Sequence, residues 1–218
     1  MTSATAMRVE VSPGVALDGD LARPPDPSGL VVFAHGSGSS RFSPRNRAVA
    51  RELNRRGLAT LLLDLLTAAE ERLDLVTRQL RFDVETLAGR LLVAADQAGR
   101  TTGLPVGYFG ASTGAGAALI AAARAPDTTR AVVSRGGRPD LAGDGLHDVR
   151  APTLLICGGN DPVVTELNQK ALRHLTQTRA ELVIVPGATH LFAEPGALEQ
   201  VALLAGDWFV ACLRGDEP

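Results

Sequence analysis

Ser112 stands in "GASTG", Gly110 to Gly114, a G-x-S-x-G pattern between an apolar run and an Ala-rich segment. A serine at such a strand-to-helix turn is presented at the carboxyl end of its strand, where a nucleophile is needed. The sharp turn demands small neighbours, and Gly110, Ala111, Gly114 and Gly116 are all small. The five-residue pattern is weak alone in a chain with 23 glycines, and its setting between strand and helix adds the weight. The bland alternative is a glycine-rich turn that binds phosphate at a helix N-terminus. Neither G-x-x-x-x-G-K-[ST] nor G-x-G-x-x-G occurs, which weakens that alternative.

A hydroxyl is a poor nucleophile at neutral pH, so a base must take its proton. Of four histidines, His147 and His174 fall in a loop and on a helix, where solvated or capping roles suffice. His35 ends an apolar run and opens the Gly-rich "HGSGSS" loop, which suits a structural, hydrogen-bonded histidine. His190, in "GATHLF", follows the last apolar run and is the candidate base. An imidazole in that role needs an acceptor that fixes its tautomer. Asp161 in "GGNDPVV" is the candidate, although the following Pro162 also makes it a natural helix N-cap. Asp64 and Asp140 are the other carboxylates considered; Asp161 is preferred because Ser…Asp…His is the chain order of one hydrolase class.

Acyl transfer also needs donors for an oxyanion. The backbone N–H of Thr113 and that of Ser37, in the "HGSGSS" loop, are the candidates. Arg41 and Arg135 are candidate substrate-binding residues, with Arg138 nearby, since arginine suits bidentate carboxylate or phosphate binding. Ion pairs that fix loops, for instance with Asp64 or Asp140, are the competing explanation. No His/Cys/Asp cluster has metal-ligand spacing, so neither a metal nor a cofactor is expected.

These residues need a sheet to place them together. Met7, Val9 and Val11 alternate, Pro13-Gly14 turns, and Val15, Leu17 and Leu21 follow, which predicts an antiparallel hairpin. Continuous apolar runs then occur at Leu30–Ala34, Leu58–Leu66, Val106–Phe109, Ala131–Val133, Thr153–Ile156 and Leu182–Val185. Runs of this kind are strands buried on both faces. Helical segments alternate with them: around Val49 and Leu53, from Val84 to Ala95, after Ser112, from Val164 to Leu175, and from Val201 to Cys212. The stretch Thr67–Arg81 stays open between a short helix and a loop excursion. The expectation is an α/β fold: eight strands, mostly parallel, helices on both faces, one domain over 1–218. Ligands bind beyond the carboxyl ends of such strands, and the polar, Gly-rich segments all lie there.

Composition narrows the partners. The chain has 218 residues, 45% apolar and 21% charged, with net charge −2, which argues against nucleic-acid or anionic-membrane binding. Aromatics are 4%, too few for base-stacking platforms. Cys157 and Cys212 read as small buried hydrophobes rather than a disulfide. No apolar signal core or 18-residue apolar run is present, so the expected location is cytoplasmic. The expected partner is a small-molecule ester; a homo-oligomer stays open.

Taken together, "HGSGSS", "GASTG", "GGNDPVV" and "GATHLF", in this order, resemble the α/β-hydrolase superfamily. The short chain without an inserted lid resembles its dienelactone-hydrolase-like branch. "FAHGSGSSRFSPRNRAVA" and "VSRGGRPDLAG" resemble a bacterial subgroup of small serine hydrolases sometimes fused to phosphoribosyltransferase domains. The resemblance implies Ser112 as nucleophile, Asp161 as acid and His190 as base. Dienelactone hydrolases proper carry cysteine in the elbow; Ser112 here shifts the expectation to ordinary carboxylic esters. The phosphoribosyltransferase half is absent from this sequence, so no nucleotide role is expected. An acyltransferase with the same three residues, or a non-catalytic binding module, are the alternatives.

Overall fold

The structure, a computed structural model, describes residues 3–214, so the outermost ends of the expected 1–218 domain lie outside it. Eight strands form one sheet: β1 (Ala4–Ser12), β2 (Val15–Ala22), β3 (Leu30–Ala34), β4 (Ala59–Leu63), β5 (Val106–Ala111), β6 (Thr129–Arg135), β7 (Thr153–Gly158) and β8 (Ala180–Val185). Their spatial order is β1-β2-β4-β3-β5-β6-β7-β8. β1 pairs antiparallel with β2, and β2 antiparallel with β4. All later pairings are parallel. The expected α/β-hydrolase architecture is therefore present, and among the described residues no large lid is inserted.

Six helices cover the sheet: α1 (Pro44–Arg55), α2 (Ala68–Thr77), α3 (Val84–Thr102), α4 (Thr113–Arg124), α5 (Pro162–His174) and α6 (Ala197–Leu213). Apolar side chains of α1 and α6 meet Val31, Phe33, Phe109 and Val133 on one face. Those of α3, α4 and α5 meet Val32, Leu61, Tyr108 and Val132 on the other. Consecutive strand residues point to opposite faces, so strands clad on both sides must be apolar throughout, and β3 is buried at all five positions. α4 is buried from Thr113 to Ala122, which explains its Ala- and Gly-rich sequence: it packs tightly onto the sheet.

Several boundaries differ from the sequence expectation. β4 ends at Leu63, three residues before the apolar run does, so Asp64 stands beyond the strand instead of inside it. β6 extends two residues past Val133, to Arg135, and brings that side chain to the carboxyl edge. β8 is an edge strand and half-exposed, since it has one neighbour, β7. The open stretch Thr67–Arg81 contains helix α2. Thr67 caps it and Glu70 returns the bond to the Thr67 N–H, a capping box that starts a helix at this point. A turn-rich 3₁₀ run, Pro139–Asp148, packs on α4 and has no counterpart in the expected elements. Among the described residues no helix is long and apolar enough to cross a membrane. Cys157 and Cys212 form no disulfide among the described residues; Cys157 is buried as expected, Cys212 is half-buried, and burial pushes the Cys157 thiol up to about 12.

Candidate active site

The chain runs from β3 outward to β4, then returns to the other side of β3 with β5. That reversal opens a crevice between the carboxyl ends of β3 and β5, the usual ligand site of such sheets. The loop after β3 is "HGSGSS" and the residue after β5 is Ser112, so topology alone brings them together.

Ser112 has φ 51° and ψ −122°, a backbone conformation nearly reserved for glycine, which costs about 1–3 kcal/mol in a serine. Its surroundings hold it there. The Ser112 N–H donates to the Arg135 carbonyl at 3.2 Å, and its carbonyl accepts from the Arg138 N–H at 3.0 Å. The glycines of "GASTG" answer to close backbone approach. A Cβ on Gly110 would lie 2.8 Å from the Ala115 nitrogen, and one on Gly114 2.7 Å from the Ala34 carbonyl carbon.

His190 links the other two candidates. Its Nδ1 lies 2.7 Å from Asp161 Oδ2, and its Nε2 lies 3.3 Å from Ser112 Oγ. With Nδ1–H donating to the carboxylate, Nε2 is left as an acceptor facing the serine hydroxyl. Asp161 occupies the N-cap position of α5, yet its side chain makes no capping bond. The carboxylate serves the imidazole instead. The His190 loop is closed by Glu194, which accepts from the Thr189 N–H at 3.1 Å and the Thr189 hydroxyl at 2.6 Å. Sequence reasoning passed over Glu194; a Thr and a Glu five residues apart in a loop is too common a pattern to single it out.

The remaining histidines go elsewhere. His35 is buried: Nδ1–H donates to the Gly36 carbonyl at 2.9 Å and Nε2 accepts from the Leu65 N–H at 3.1 Å. Burial depresses its pKa, so a neutral ring ties the β3 loop to the end of β4. His147 and His174 contact each other at 3.2 Å on the surface, away from Ser112.

The oxyanion candidates are adjacent, with one difference from expectation. Thr113 is the first residue of α4, so its N–H has no intrahelical acceptor. The Ser37 N–H, however, donates to Thr113 Oγ1 at 2.9 Å and is engaged in this conformation. Of the arginines, Arg41 is taken by the loop: its backbone N–H donates to Asp64 Oδ1 at 2.6 Å and its guanidinium pairs with the same carboxylate. Arg138 pairs with Asp140 at 2.7 Å. Both carboxylates weighed against Asp161 are thus committed to loop-fixing pairs. Arg135 differs. Its side chain is buried, 7% exposed, and lines the same cavity of about 240 Å³ as Ser112 and His190. Arg45, in the first turn of α1, also lines that cavity and was missed by sequence reasoning, because an arginine early in a helix reads as a surface residue. Among the described residues no group of three or more His, Cys, Asp or Glu could hold a metal ion.

The dienelactone hydrolase family model matches residues 17–202. The chain belongs to this family. A solved dienelactone hydrolase from Anabaena variabilis is 57% identical to this family member, with a TM-score of 0.95 over 98% of this chain and 99% of that one. Est1E from Butyrivibrio proteoclasticus, at 18% identity and a TM-score of 0.78 over 95% of this chain and 98% of its own, shares the fold. Two chains from Mycobacterium tuberculosis strains, provisionally named phosphoribosyl transferases, are 59% identical over 207 residues. The match takes in 94% of this chain and 46% of theirs, so the chain spans about half the length of these curated relatives.

Proposed function

We propose that this member of the dienelactone hydrolase family is a serine hydrolase that cleaves small soluble carboxylic esters through an acyl-enzyme. The observation that carries this is His190 bridging Ser112 Oγ and Asp161 with its two ring nitrogens, at 3.3 and 2.7 Å. Ser112 Oγ attacks the ester carbonyl while its proton passes to His190 Nε2, and Asp161 stabilises the imidazolium. The tetrahedral oxyanion meets the Thr113 N–H, joined by the Ser37 N–H once the Thr113 hydroxyl turns away. Collapse breaks the bond to the alcohol, which takes the proton from His190. Water, deprotonated by the same nitrogen, then releases the acid and restores Ser112.

A binding module without chemistry would have no reason to hold hydroxyl and imidazole within hydrogen-bond reach beside a strained serine. The name of the M. tuberculosis relatives belongs to chains about twice as long, and a nucleophile with its base suits acyl transfer more than phosphoribosyl transfer. The test is a fluorophosphonate probe with p-nitrophenyl acetate turnover. Labelling confined to Ser112, lost in Ser112→Ala, together with ester cleavage, is expected. A folded protein whose Ser112 stays unlabelled would sink the proposal. Adding an alcohol or thiol acceptor separates hydrolysis from acyl transfer by the product formed.

A further inference from the structure

The Ser112 cavity holds two positive charges that nothing in the structure neutralises. Arg135 Nε and Nη1 are buried without a hydrogen-bond acceptor, and so is Arg45 Nε. Among the described residues neither guanidinium forms an ion pair, whereas Arg41, Arg47, Arg81, Arg90 and Arg138 all do. Among the described residues no Asp or Glu lines the cavity; its other polar walls come from Ser37, Ser39, Ser43, Asn46, Ser112 and His190. A buried charge without a partner is costly and is kept where a ligand supplies the partner. The Phe192 ring, 6.0 Å from the Arg135 guanidinium carbon, offers partial compensation. Burial, with the Arg45 charge adding to it, pulls its pKa down to about 10, still protonated at neutral pH.

Position ties these arginines to the chemistry. Arg135 is the register partner of Ala111 in the parallel β5–β6 pair, one residue before the serine. Its carbonyl receives the Ser112 N–H, so the elbow backbone and the guanidinium are anchored by one residue.

We propose that Arg135 and Arg45 form a subsite for a dianionic phosphoryl group, so that the ester cleaved at Ser112 is carried on a phosphorylated small molecule. This rests on the hydrolase reading above. A phosphate monoester carries about −1.5 to −2 at pH 7, which matches two guanidinium charges; a carboxylate would leave one of them unneutralised. Guanidinium forks also match phosphoryl oxygens in pairs.

The experiment compares acetylglycerol phosphate, neutral acetylglycerol and the carboxylate acetylglycerate as substrates, by pH-stat, with wild type, Arg135→Gln and Arg45→Gln. Inorganic phosphate is titrated calorimetrically into Ser112→Ala, which retains both arginines and needs no turnover. The expected kcat/KM for the phosphorylated ester exceeds that for the neutral one by roughly 10–100-fold, the size of a charge-assisted contact. Either arginine variant collapses that ratio toward one, and a thermal melt verifies its fold. Inorganic phosphate is expected to give a binding heat that Ser112→Ala/Arg135→Gln lacks. Neutral and phosphorylated esters cleaved equally, with no heat from phosphate, would overturn the subsite and leave the hydrolase intact. A preference for acetylglycerate would overturn the dianion assignment. Phosphate heat without cleavage of any ester would overturn the hydrolase reading and with it the proposed substrate, not the binding of phosphate by the arginines.

Discussion

Replacing Ser112 by glycine and by alanine separates the strain in the elbow from its chemistry. Both substitutions remove the hydroxyl, so both should lower ester hydrolysis by at least ~10³-fold. They differ in the backbone. At φ 51° and ψ −122°, alanine keeps the Cβ penalty of about 1–3 kcal/mol, while glycine does not. Glycine's freer unfolded chain takes back about 0.4–1 kcal/mol. The balance favours Ser112→Gly over Ser112→Ala by about 1 kcal/mol, the reverse of the usual ordering, in which glycine for alanine costs roughly 0.5–1 kcal/mol. For a chain of this length that is about 2–4 °C in Tm. Urea unfolding of the two variants side by side, at unchanged m-value, reads the difference directly. Equal stabilities, or a more stable alanine variant, would show that Ser112 is not held in a strained conformation. The explanation of its small neighbours would then fall too.

Gly114→Ala should push the end of β3 and the "HGSGSS" loop away from α4, because the new Cβ meets the Ala34 carbonyl carbon at 2.7 Å. A loss of about 1–3 kcal/mol in urea unfolding and a drop in ester hydrolysis of more than ~10-fold are expected; wild-type values for both would contradict the packing described. Asp161→Asn should keep the fold but reverse the imidazole tautomer, lowering kcat by roughly 10⁴-fold with KM little changed. A fall of less than tenfold in steady-state kinetics would assign Asp161 to its helix alone. Glu70 accepts from Arg90 at 2.5 and 2.8 Å and from the Thr67 N–H at 2.8 Å, which lowers its pKa from 4.5 to about 2. Its folded-state pKa is depressed, so the stability it adds is complete above 4.5 and is lost as pH falls through about 2. Glu70→Gln should cost about 1 kcal/mol at pH 7, modest because the pair is partly solvated. Unfolding curves across the acid range should show that gap closing below 4.5; a pH-independent gap would contradict the linkage.

Much of this site could be read along the chain because backbone demands leave local marks. A strained elbow needs small residues on both sides, and "GASTG" shows them; strands covered on both faces need unbroken apolar runs, and β3, β5 and β7 show those. The start of α2 is equally written in Thr67 and Glu70, whose types and spacing make a capping box. Partner choice among polar side chains was decided by the tertiary structure. Ser112 and His190 are 78 residues apart, and Asp161 could equally have capped α5. Arg41, after the Gly-rich β3 loop, and Arg135, at a strand end, read alike as substrate-binding candidates, until the early end of β4 gave Asp64 to Arg41 and the longer β6 carried Arg135 into the cavity. The engagement of the Ser37 N–H by Thr113 Oγ1 likewise depends on how closely the β3 loop lies against α4. The physical reason is range: dihedral preference and burial act over a few neighbouring residues. Pairing of charges and hydrogen bonds depends on sheet order and register, which no short segment contains.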